Sequence, residues 1–160
     1  MKTNQKKTEA NNINEIPKNI IQFIRKHHVF NMAACHRTNL WTASCFYAYW
    51  KERQCLVFLS DENTLHAQLM SLNPEIVATI TLETRIVGKI QGLQLRGIVS
   101  KPTDELLAMC KKIYYKRFPY AIGQRSTFWL LELTYLKYTD NRLGFGKKII
   151  WEKESVNKTI

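Results

Sequence analysis

The apolar positions change period several times along the chain, and each change marks an element. Ile16, Ile20, Phe23 and Ile24 recur at helical spacing behind Asn14, and Pro17 is tolerated in a first turn. This predicts a helix that ends at His27–His28, where capping of the last carbonyls is the expected role of a histidine. Val29–His36 follows, and Leu40–Trp50 then alternates. Thr42, Ser44 and Phe46 face one way and Ala43, Cys45, Tyr47 and Tyr49 the other, the pattern of a strand. Lys51–Gln54 reads as a turn into a strand over Cys55–Ser60.

Asp61–Asn63 offers helix caps, and Leu65, Leu69 and Leu72 form an apolar stripe that Asn73–Pro74 ends. Strands are predicted over Glu75–Glu83 and Ile90–Ser100, with Gly92 and Gly97 as bulges or bends. Pro102–Arg117 predicts a helix with Leu106, Cys110, Ile113 and Tyr114 inward. Acidic Asp104 and Glu105 start it and Lys116 and Arg117 end it, which suits the helix dipole. Phe118–Arg125 is irregular. Thr127–Thr139 is a long strand with Trp129, Leu131, Leu133 and Tyr135 on one face, and Asp140–Asn141 turns into a last strand, Phe145–Glu152. Short links between strands predict a mainly β (α+β) fold, an antiparallel barrel of about seven strands with helices at its ends, rather than a doubly wound sheet.

The chain has 160 residues, one domain's worth. The single domain is expected over residues 13–153, with polar tails at 1–12 and 154–160. No apolar run is long enough to span a bilayer and the N-terminus lacks an apolar signal core, so a cytoplasmic protein without membrane partners is expected. Lys and Arg number 24 against 13 Asp and Glu, a net charge of +11. Between Arg37 and Arg96 the charges nearly cancel; the excess lies at Met1–Lys26, Lys101–Arg125 and Lys137–Lys158. Such a surface attracts phosphates, whether on nucleic acid or on a cofactor. Cys35, Cys45, Cys55 and Cys110 form neither a CxxC pair nor a zinc-finger cluster, so reduced buried thiols and no metal are expected.

Chemistry concentrates in three segments. In LSDENTLHAQLMSLNP a strand gives way to a helix whose first turn holds Thr64 and His66, beside free backbone N–H groups suited to a phosphate. In LWTASCFYAYW, Thr42 and Ser44 lie among large apolar side chains, a face for a flat ligand. TDNRLGFGKKIIW fails the phosphate-loop pattern, because Asn141 stands where a Gly is needed and Lys148 where Ser or Thr is needed. Lys147 and Lys148 remain as candidate phosphate contacts, and being adjacent in a strand they cannot both enter one pocket. No hydrolase or metalloprotease motif is present, so an enzymatic role requires a cofactor to do the chemistry.

The run FLSDENTLHAQLMSLNPEIVATI resembles the signature of the pyridoxamine-phosphate-oxidase-like FMN-binding split barrels. RGIVSKPTDE, YKRFPYA and above all TDNRLGFGKKIIW resemble the YhbP family within that group, over roughly Asn14 to Trp151. The resemblance implies a split barrel that forms a homodimer, with FMN in grooves between the subunits. Ser60, Asp61, Thr64 and His66 stand at the signature's Thr, Asn, Ser and Lys. Thr64 and His66, with Ser60 beside them, are thus the implied phosphate contacts, and Thr42, Ala43 and Ser44 the implied ring contacts. The sequence does not choose among Arg125, Lys147 and Lys148 as the basic residue that reaches the ligand.

Two departures stand out. His66 replaces a permanent cation, and Trp41, Thr42 and Ala43 stand where the oxidase has an Arg-bearing strand. Vitamin B6 oxidation is not implied. Three function classes follow, in order. The first is an FMN-dependent oxidoreductase, with a nicotinamide nucleotide or another small molecule as partner. The second is a carrier or sensor of flavin, haem or another planar ligand. The third is a nucleic-acid-binding barrel using the basic surface.

Overall fold

The structure, a computed structural model, describes residues 15–144 and 146–154. The tail expected at 1–12, Asn14, the strand start at Phe145 and residues 155–160 lie outside the described residues. The chain runs α1 (Lys18–Lys26), β1 (Val29–His36), β2 (Asn39–Trp50), β3 (Cys55–Ser60), α2 (Leu65–Leu72), β4 (Glu75–Thr81), β5 (Gln91–Ser100), α3 (Asp104–Arg117), β6 (Thr127–Asp140) and β7 (Lys148–Glu152). All strand pairs are antiparallel, in the order β3-β2-β1-β4-β5-β6-β7, and β3 also pairs with β6. That extra pairing closes six strands into a barrel, with β7 added along the far half of β6. The predicted mainly β split barrel with flanking helices is the observed architecture.

Alternation decides what fills the barrel. Phe30, Tyr47, Phe58 and Leu131 are fully buried inside it. Ile20, Phe23 and Ile24 of α1 join the same core, and the Tyr47 hydroxyl donates to the Ile24 carbonyl at 2.6 Å. Ala67, Leu69 and Met70 of α2 also face inward. The predicted stripe of α2 is therefore corrected: Leu65 and Leu72 are exposed, and Leu69 alone of the three is buried. On the outside, Cys110 and Tyr114 of α3 pack with Ala48, Val57, Phe128 and Leu130. All four cysteines are free, and Cys35, expected buried, is half-buried; burial pushes the thiols of Cys45 and Cys110 up to about 11 and that of Cys55 to about 12, so these three stay protonated.

One bulge resets the pattern of β6. Gly97 faces Leu133 while Arg96 faces Tyr135, so Thr134 is the extra residue and its hydroxyl donates to the Arg96 carbonyl at 3.1 Å. Beyond it Leu136 and Tyr138 point inward, and Tyr135, predicted inward, lies on the outer face over the Arg96 guanidinium. Gly97 is required there, because a Cβ would sit 2.3 Å from the Glu132 carbonyl oxygen. Gly92 pairs regularly with Thr81 and Thr139, so the bulge expected at that position is absent.

Candidate functional site

β3 and β6 deliver the site's first residue. Ser60 ends β3 opposite Thr127, and its carbonyl accepts from the Trp129 indole at 3.3 Å. The chain then turns through Asp61–Asn63 into α2. Asp61 and Asn63, the predicted caps, do not cap this helix: the Asp61 carboxylate accepts from the Asn63 N–H at 2.8 Å. Thr64 is the N-cap, and its hydroxyl accepts from the Ala67 N–H at 3.4 Å while donating to the Asp61 carbonyl at 2.7 Å.

Ser60, Thr64 and His66 converge. Nε2 of His66 lies 2.6 Å from the Ser60 hydroxyl and 3.2 Å from that of Thr64. The Thr64 proton is committed to Asp61, so Thr64 can only accept from the imidazole, whereas Ser60 can donate or accept. Burial holds the His66 pKa below its ordinary value, which keeps the ring neutral at pH 7. The cluster thus offers a neutral imidazole and the Ser60 hydroxyl as donors at a helix N-terminus, with the Thr64 proton held by Asp61, and a phosphate beside it would favour the imidazolium.

The residues of β2 separate. Thr42 and Ser44 point outward, Ser44 donating to the Asn31 side chain at 2.6 Å, and Ala43 faces the interior half-buried. Thr42 and Ser44 can meet a ring along the strand's edge, through main-chain groups, whereas Ala43, in phase with Tyr47, turns its main-chain groups toward Met32 of β1 and the expected ring contact at Ala43 is not made there. That edge is available: β3 pairs with β2 only over Tyr47–Trp50. The Tyr47 N–H donates to the His28 carbonyl, so by alternation Thr42 and Ser44 direct their backbone groups away from β1, toward this edge. α2 packs against β1 and β2 beside it.

Lys147 and Lys148 are not brought to this cluster. Lys148 pairs with Thr139 at the far end of β6, whereas Ser60 pairs with Thr127 at its beginning. Twelve residues of strand separate those partners, about 40 Å at ~3.3 Å per residue. Any contact of these lysines with a ligand at α2 would come from a second copy. The block TDNRLGFGKKIIW instead builds a lock. The Asp140 carboxylate, 3% exposed, accepts from the Arg142 guanidinium at 2.7 and 3.0 Å, from Gln91 at 2.8 Å and from the Tyr138 hydroxyl at 3.1 Å. These partners hold its pKa well below the usual carboxylate range. Asn141 ties the same turn to the Val87 carbonyl, and Gly144 and Gly146 take the left-handed backbone the turn needs.

Arg125, by contrast, lies at the near end of β6, where it lines a groove with Asp61, Glu62 and Asn63. A second groove, of about 610 Å³, runs over the outer face of the sheet between Thr42, Ala33, Val77, Arg96 and Tyr135. Sequence reasoning reached this face only at Thr42, read there as part of a face for a flat ligand; Val77, Arg96 and Tyr135 join it across β1, β4, β5 and β6 and carry no local signal. His27 behaves as expected, its ring 2.9 Å from the Phe23 carbonyl at the end of α1. Among the described residues no cluster of metal-ligating side chains occurs, and no helix is long and apolar enough to cross a membrane.

No model of a known protein family matches the chain. The UPF0306 protein YE0465 of Yersinia enterocolitica is 34% identical over 134 residues, which cover 84% of this chain and 91% of the relative. Among solved structures, a haem-binding protein from Mycobacterium smegmatis superposes with a TM-score of 0.67 at 14% identity and 81% coverage of this chain. The chain spans only 55% of that protein's length. An FAD-binding protein from Mesorhizobium loti superposes with a TM-score of 0.59 at 11% identity, covering 76% of this chain and 92% of its own. These structural likenesses show the fold.

Proposed function

The chain belongs to the UPF0306 family, and on that premise we propose that it is a flavin-binding protein of the pyridoxamine-phosphate-oxidase-like group, akin to the YhbP family, which binds FMN as a homodimer and serves as a flavin-dependent oxidoreductase. The observation that supports this best is the convergence of Ser60, Thr64 and His66 at the first turn of α2, the helix that packs beside the open edge of β2. The donor set fits a phosphate, since the Ser60 hydroxyl, the imidazole and first-turn N–H groups offer protons, and Thr64 joins them once its hydroxyl leaves the Asp61 carbonyl. The FAD-binding neighbour lends weight to a flavin in a barrel of this shape.

In this reading the Thr64 hydroxyl turns from the Asp61 carbonyl to donate to the phosphate beside His66, and Ser60 orients the imidazole. The main chain of Thr42 and Ser44 meets the polar edge of the ring, with Ala43 between them turned to β1. FMN, when bound, supplies the hydride and single-electron chemistry that no side chain here provides. The chain's own part is to bind, orient and hold a proton at His66 Nε2. A nicotinamide nucleotide or another small molecule is the reductant. The outer-face groove around Val77, with Ala33 and the Tyr135 ring on its walls, is the surface a second copy covers.

The test is an absorbance scan of the purified protein before and after adding FMN and desalting. A retained flavin band is expected, and Thr64→Ala and His66→Ala should each weaken FMN about tenfold, the loss of one charge-assisted hydrogen bond. Unchanged affinity in both variants would falsify this site. The likeness to the haem-binding protein favours a second reading, a planar-ligand carrier without redox turnover. A haem Soret band on reconstitution, with no flavin retained, would select it.

A further inference from the structure

Basic side chains from three segments converge where α3 faces the entry of β6. Lys101 leaves β5, Lys111 projects from α3, and Arg125 precedes β6; together they line a groove of about 490 Å³. Its one carboxylate, Glu62, is already engaged on both oxygens, by Lys101 at 2.8 Å and by the Thr127 hydroxyl at 2.8 Å. Among the described residues Lys111 and Arg125 join no ion pair, and the side chains of Gln124 and Ser126 on the same wall make no hydrogen bond. Three cations face one carboxylate in this groove, and Arg125 meets Asp61 only at the neighbouring one, so positive charge is in excess and an anion would relieve it. The floor is apolar: Leu107 and Tyr115 share one line of α3 with Lys111 at four-residue spacing, and the Tyr115 ring meets Phe128 edge-on at 5.6 Å. The wall thus offers donors and positive charge, and the floor offers a flat apolar surface.

We propose that this groove binds a small organic phosphate, with the phosphate on Lys111 and Arg125 and a planar group on Leu107 and Tyr115. It is distinct from the Ser60–Thr64–His66 cluster and stands whether or not that cluster binds flavin. A nucleoside monophosphate is the natural probe, since it joins a planar ring to one phosphate within the size of such pockets.

The experiment is calorimetric titration of the full-length protein with adenosine 5′-phosphate, adenosine and inorganic phosphate. The monophosphate should bind at least ~10-fold more tightly than either fragment, because each fragment meets only half of the groove. Lys111→Gln and Arg125→Gln should each weaken it about tenfold, as expected for one charge-assisted contact, with melting temperatures unchanged. Lys112→Gln, one residue away but outside the groove, should bind like the wild type. Three results would overturn the proposal: no preference for the monophosphate over inorganic phosphate, equal weakening in Lys112→Gln, or displacement of bound FMN by the monophosphate. Retention of FMN by Lys111→Gln tests the flavin site separately, so failure of one site is not mistaken for failure of the other.

Discussion

Replacing Asp140 separates a ligand loop from a structural lock in the block TDNRLGFGKKIIW. The carboxylate is buried, and two of its partners are buried with it: Gln91 is 4% exposed and Tyr138 is 3% exposed. Asp140→Ala strands the Gln91 amide and the Tyr138 hydroxyl, each at about 1–3 kcal/mol, while the exposed Arg142 returns to water. Tyr138 can turn its hydroxyl, so we take the low end for each, about 2–3 kcal/mol in all, or ~4–12 °C in Tm for a chain of this length. Asp140→Asn keeps the shape and one acceptor, and about half that loss is expected. The pH dependence follows from the sign of the pKa change. A carboxyl depressed by folding contributes its full stabilisation above the unfolded value, near ~4, and loses it as pH falls through the folded value. The gap in Tm between wild type and Asp140→Asn should therefore be widest at neutral pH and narrow in acid. Thermal melts by circular dichroism at several pH values, with FMN retention measured in parallel, decide the matter. A variant that loses flavin while keeping its Tm would refute the lock and return this loop to the ligand site.

Three further outcomes follow from the same geometry. His66 is neutral when free, so binding a phosphate beside it should take up a proton; FMN affinity should rise on going from about pH 7.5 to 5.5 more steeply in wild type than in His66→Gln. Parallel titration curves for the two proteins would remove His66 from the phosphate site. Gly97→Ala forces a Cβ against the Glu132 carbonyl and the Leu131 side chain, and should lower stability by about 2–3 kcal/mol in a denaturant melt. An unchanged midpoint would mean that the bulge at Thr134 can slide. Val77→Lys places a second charge beside Arg96 in the outer-face groove, where Val77 is 54% exposed, and should convert the proposed dimer to monomer in sedimentation velocity while leaving Tm intact. A dimer that survives this change must use another face.

How much of this was legible depended on whether the governing contact was local. The alternation of β2 and the helical spacing of α1 were readable, because each repeats within a few residues and one face is buried. Tyr135 was misplaced because a single extra residue, Thr134, inverts every later position of β6, and the cause lies across the ladder at Gly97. The caps of α2 were misassigned for a similar reason. Thr64 outcompetes Asp61 and Asn63 only once Ser60 is held by β6 and the Asp61 carbonyl turns back to accept from Thr64. The two lysines after Gly146 looked like phosphate ligands because glycine next to lysine is a local pattern. What makes that turn is Asp140, whose partner Gln91 is 49 residues away in sequence. Glu62 and Thr127, 65 residues apart, meet by the same logic and draw Lys101 and Arg125 to one wall. The Ser60–Thr64–His66 cluster is compact in sequence and could be named from it; the groove proposed for an anion is lined from beyond the ends of β3 and β5, from α3 and from the entry of β6, and forms where β3 closes the barrel against β6. Disrupting that closure, not the sequence around any one lysine, is what should abolish it.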